Sequence, residues 1–413
     1  MSRLASTERT QAPSPALAPP PGNPRFPLFD SLRAIAVLAV LAFHVASITG
    51  EINRPTTGDV FAVLGDQGPI IFFAISGFLL YRPFARAHLL GTDPPSSRRY
   101  ARRRALRILP AYWTALLAMA IFPGIVGVFS GYGWRYFLFL QAYSNHTIAT
   151  GIPSAWTLCV EAAFYVALPL WALLVRAARR WSGASWGRSE LAPLAALAAG
   201  GIAVQIAGSR LLVSNLVASS VLGQCTWLAL GMALAVASVA LAQGEWRRTP
   251  FVELIARHPG LLWLGALGSI AGLAAVLHPG GLLGIVVSLH TVQPFARTLG
   301  AIALTAMLAT CLLVPAIFDA ERPGVPQRVL RWPPLAYLGL ISYGVFLYHL
   351  EVAEVLGLSS DPGHFSGHGL GLVQHVHTAT TVILFVLTLA VSAAVATVSY
   401  RVVELPFLRR KET

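Results

Sequence analysis

The chain has 413 residues, 55% hydrophobic and only 11% charged, with a mean hydropathy of +0.65. This balance excludes an ordinary soluble domain, and apolar runs of about 20 residues, enough to cross a bilayer as helix, recur from end to end. A net charge of +13 would suggest nucleic acid for a soluble protein. Here the basic residues are nearly all Arg and gather in alternate connecting segments, so a bilayer is the expected partner and nucleic acid is not.

Residues 1–24 are Pro-, Ala- and Ser-rich without an apolar h-region and read as a disordered tail, not a secretory signal. Ten spans are predicted, at 30–49, 69–86, 108–127, 155–175, 191–208, 217–242, 260–277, 298–318, 335–356 and 377–400. An even number puts both termini on one side. Segments on that side hold 25 basic residues, against Arg54, Arg135, Arg210 and Arg297 on the other. The positive-inside rule therefore predicts cytoplasmic termini and a multi-pass protein of the cytoplasmic (plasma) membrane. The expected fold is an all-α bundle of about ten transmembrane helices over 25–408, with 409–413 a short cytoplasmic tail. Cys159, Cys225 and Cys311 lie inside apolar runs and read as small core residues.

The first span, LFDSLRAIAVLAVLAFHVAS, carries Arg33 near its start and His44 near its end. Eleven residues return to nearly the same helix face and separate the two by roughly 16 Å. Ionisable groups on such a stripe are functional hypotheses by default. The second span, GPIIFFAISGFLLYRPF, brings Ser76 to the outer half. Between the second and third spans, RRYARRRALRILPAYW packs six Arg into ten residues. They could anchor topology at anionic headgroups, or bind phosphate through guanidinium forks. Arg104 and Arg107, three apart, would share a face.

The outer connection 128–154 holds Tyr132, Trp134, Tyr136 and Tyr143, an interface belt or a stacking surface for a sugar ring. The fourth span, SAWTLCVEAAFYVALPL, sets Trp156 at the interface and Glu161 below it. The ninth, LAYLGLISYGVFLYHLEV, lifts His349 to the outer half. His44, Ser76, Glu161 and His349 can therefore share one layer. A buried His beside a carboxylate suits a general base, and equally a structural hydrogen bond between helices. The last outer loop, 357–376, with His364, His368, His375 and the adjoining His377, reads as a flexible polar loop, and no metal is expected.

These pieces, together with SYRVVELPF near the C-terminus, occur in the same order in a known family. The chain resembles the acyltransferase-3 family of integral membrane O-acyltransferases over about 26–408. The resemblance implies an enzyme moving a non-aminoacyl acyl group from acyl-CoA, usually acetyl-CoA, to a hydroxyl of a sugar, glycolipid, polysaccharide or glycosylated natural product. By position it implies His44 as the base with Arg33 beside it, and Glu161 and His349 in support. It assigns Arg104 and Arg107, with neighbouring Arg103, to the CoA phosphates. Trp156, Ser76 and Tyr348 fall to the substrate side. Ile70 stands where many members have an acidic residue, Tyr348-His349 replaces the commoner Trp-His, and no fused C-terminal hydrolase-like domain is expected. The alternative is a proton-coupled transporter or exporter without catalysis, which buried Arg, Glu and His also suit.

Overall fold

The computed structural model describes residues 26–54, 57–246, 249–277, 294–318, 324–358, 370–373 and 378–410. The tail expected at 1–24 lies outside the described residues, as do His364, His368, His375 and His377. Among the described residues there are helices and turns but no β-strand. The principal helices are α1 (Leu28–Thr49), α2 (Thr57–Leu90), α3 (Ser97–Ile121), α4 (Trp156–Ser182), α5 (Trp186–Ser209) and α6 (Val221–Ala242). They continue with α7 (Gly260–Leu277), α8 (Phe295–Ile317), α9 (Pro333–Leu340), α10 (Ser342–Gly357) and α11 (Thr378–Ser399).

Each of the ten expected spans falls on a helix, but they are not ten equal crossings. Eight described helices are long and apolar enough to span, and a ninth span forms if α9 and α10, bent by 76°, count as one. Helix α7 belongs with the shorter apolar helices. Two boundaries also move. Helix α2 starts well before Pro69 and runs through it and Pro83, because burial along α1 and α6 outweighs the roughly 3 kcal/mol that proline costs a helix interior. Helix α3 begins at Ser97, so the arginine run is helical, as suits a good helix former.

Helix α1 is the hub, packed by α2, α9, α10 and α11. It is apolar nearly all round because it is enclosed nearly all round, with Leu32, Val37, Leu41 and Val45 fully buried. Its first turn is tied down by Ser31, whose hydroxyl donates to the Leu330 carbonyl at 2.6 Å. At the other end Glu51 accepts from Thr57 at 3.0 Å and from Thr378 at 3.3 Å, joining α1 to α2 and α11. Helices α2 and α6 cross with backbones touching: a Cβ at Gly77 would lie 2.2 Å from the Leu228 oxygen, and one at Gly231 2.0 Å from that of Ala74. This crossing fixes the α2 face that carries Ser76.

Candidate active site

Helices α1 and α10 bring two histidines 305 residues apart into contact. His349 Nε2 is 3.0 Å from His44 Nδ1, with ring centroids 4.9 Å apart. His349 Nδ1 is 2.8 Å from the Phe346 carbonyl, and His44 Nδ1 is 3.0 Å from that of Val40. Carbonyls only accept, so each neutral ring carries its proton on Nδ1. The His44 Nδ1–H is then shared between the Val40 carbonyl and the His349 Nε2 lone pair, and His44 Nε2 is a lone pair without a donor among the described residues. His349 is fully buried and His44 half-buried, so the free lone pair belongs to the more accessible ring.

Between α1, α2, α3, α4 and α10 lies a cavity of about 100 Å³. Arg33, Arg104 and Arg107 line it together with Ser76 and Glu161. Arg33 Nη1 donates to Asp30 Oδ1 at 2.5 Å, one helical turn back. The Glu161 carboxylate is held from both sides: Ser76 donates to Oε1 at 2.6 Å and Tyr165 to Oε2 at 2.7 Å. The Nε of Arg104 is buried without a hydrogen-bond partner among the described residues, a cationic donor with capacity to spare.

The structure pairs these four residues in twos. His44 meets His349, while Ser76 and Glu161 share the arginine cavity. Phe346, one turn before His349, links them by lining the cavity. Of the three cluster arginines singled out, Arg104 and Arg107 face this space and Arg103 is exposed. Trp156 sits one ring away, edge-on to cavity-lining Phe73 at 6.2 Å. Tyr348 is buried in the hydrophobic core formed with α11 and does not line the cavity. Asp30 and Tyr165 complete the site, and each carries a helical signal in the sequence, three residues before Arg33 and four after Glu161.

A multi-pass helical membrane protein with an imidazole pair beside an arginine-lined cavity is the class these features define. The chain belongs to the acyltransferase-3 family, whose acyltransferase domain matches residues 27–401. It is 26% identical to acyltransferase MdmB of Streptomyces mycarofaciens over 417 residues, covering 94% of this chain and 93% of that protein. It is also 26% identical to nodulation protein 10 of Rhizobium leguminosarum bv. viciae, covering 82% and 85% of the two. Protein 2 in the picA locus of Rhizobium radiobacter is 26% identical over 169 residues, covering 40% of this chain and 83% of that one. No solved structure matches. The protein is a membrane acyltransferase transferring groups other than aminoacyl groups.

Proposed function

We propose that the enzyme moves an acetyl group from acetyl-CoA to a hydroxyl of a sugar, glycolipid, polysaccharide or glycosylated natural product, with His44 as general base. The observation that carries this reading is the 3.0 Å contact of His349 Nε2 with His44 Nδ1, since it favours the tautomer with a free lone pair on His44 Nε2. That nitrogen takes the proton from the acceptor hydroxyl as its oxygen attacks the thioester carbonyl. The new C–O bond forms, the C–S bond breaks, and the proton passes from His44 to the departing thiolate, giving an ester and free CoA. General-base help of this kind is worth about 10²–10⁴-fold in rate. His349 accepts from His44 Nδ1 and stabilises the imidazolium during the step.

Arg33, Arg104 and Arg107 hold the donor's phosphates. Guanidinium forks match phosphate oxygens, and the unpartnered Arg104 Nε supports this assignment. Trp156 lies on the acceptor side. The charge distribution along the sequence supports a plasma-membrane protein with both termini in the cytoplasm, membrane domain 25–408, and donor entry from that side. The test is mass spectrometry of envelope glycans, glycolipids and secreted glycosides from cells expressing the wild-type chain or His44→Ala. The expected result is an acyl mass difference present with the wild type and absent with the variant. Its persistence with His44→Ala would overturn the assignment of the base.

A further inference from the structure

The cavity is lined by both charged and aromatic side chains. Phe72 on α2 and Phe346 on α10 both line it, their rings meeting edge to face with centroids 6.1 Å apart. Phe346 is also the residue that ties the cavity to the histidines. Its ring centroid is 5.9 Å from that of His349, and its carbonyl accepts the His349 Nδ1–H. The space lined by three guanidinium groups is therefore also walled by two apolar rings, one of them against His349.

We propose that Phe72 and Phe346 set the length of acyl chain the enzyme accepts, restricting it to short acyl groups. The inference rests on the donor reading above. A donor held by its phosphates at the arginines, with its thioester carbonyl near His44, has a fixed length between these two points. Arg33 and His44 are roughly 16 Å apart along α1, so the donor must be extended between them. Whatever lies beyond the carbonyl is then confined by the adjacent walls. A one- or two-carbon chain fits against rings in edge-to-face contact, and a longer chain must displace them. Close-packed interiors resist such displacement, so the rings select by exclusion.

The test uses the full chain purified in detergent, with CoA, acetyl-CoA and butyryl-CoA as binding probes, for the wild type, Phe72→Ala and Phe346→Ala. The wild type is expected to favour acetyl-CoA over butyryl-CoA. In either variant that preference should shift toward butyryl-CoA by up to about fifteenfold, since each of its two extra methylenes, newly buried, is worth roughly fourfold in affinity. Free CoA binding reports whether each variant is folded, and Phe346→Leu replaces Phe346→Ala if the latter fails that check. An unchanged butyryl-to-acetyl ratio in both positions, with CoA still bound, overturns the role of the rings and leaves the donor reading standing. A wild-type protein that binds none of the three overturns the donor reading, and the ring assignment with it.

Discussion

Ser76 donates to Glu161 at 2.6 Å, across 85 residues of sequence, and so ties α2 to α4 inside the arginine-lined cavity. Tyr165 holds the second oxygen, which makes Glu161 a fixed anion among Arg33, Arg104 and Arg107. Glu161→Gln keeps the shape but replaces one acceptor oxygen with an amide donor, so either Ser76 or Tyr165 must turn from donating to a carboxylate to accepting from a neutral amide. Hydrogen bonds to charged groups contribute about 1.5–3 kcal/mol, and the variant's Tm in detergent should fall accordingly. Because the cavity has lost its own anion, CoA should raise the variant's Tm by more than it raises that of the wild type. An equal or smaller rise would show that Glu161 is not the counter-charge of the donor site.

The His349 contact makes a separate prediction. His349→Ala removes the acceptor facing His44 Nδ1, and the His44 ring can then turn or change tautomer. Acyl transfer should drop about 10²-fold or more, within the range that base catalysis contributes. His349→Gln offers a side-chain oxygen in a similar place and should restore part of the loss. The readout is kcat with saturating donor. If His349→Gln recovers nothing beyond His349→Ala, the role of His349 is not simply to accept that hydrogen bond.

The arginines should separate by position rather than by charge. Arg104 and Arg107 line the cavity, whereas Arg103 points to the surface. Arg104→Ala and Arg107→Ala should each raise the donor KM by roughly tenfold or more, the value of one charge-assisted hydrogen bond, with kcat little changed. Arg103→Ala should leave both constants near wild type. A KM rise shared equally by all three would point to a diffuse electrostatic field instead of a built phosphate site.

Much of this arrangement is legible in the sequence, and what is not has identifiable causes. Apolar runs give the helices, and the eleven-residue spacing puts Arg33 and His44 on one stripe. Depth alone brings His349 to the level of His44. It does not give rotation about the helix axis, so Glu161 was as good a partner for His44 as His349 was. Only packing decides it: the α2–α6 crossing at Gly77 and Gly231 turns Ser76 toward α4 and engages Glu161 there. The 76° break between α9 and α10 is equally hidden, since Leu340-Ile341-Ser342 contains neither proline nor glycine at the bend. The arginine run reads as a connecting segment because its charges exclude it from an apolar span, while arginine remains a good helix former.

Gly339 provides a test of how the fold holds the charged lining of the cavity. Helix α9 approaches α1 so closely there that an added Cβ would lie 1.8 Å from the Asp30 carbonyl oxygen. That contact is to backbone, so Gly339→Ala must push α9 away or displace the first turn of α1. Overpacking of this kind costs about 1–3 kcal/mol, and the Tm should fall. Asp30 is the partner of Arg33, so the displacement also disturbs a cavity arginine, while the His44–His349 contact lies about three turns further along α1. Gly339→Ala should therefore raise the donor KM more than it lowers kcat. Gly200→Ala is the matched control, because its Cβ would meet no neighbouring atom within 4 Å, and its Tm should stay level or rise slightly. Equal losses of kcat and donor affinity in Gly339→Ala would mean that the two ends of α1 move as one body, and that donor binding and base position are coupled through it.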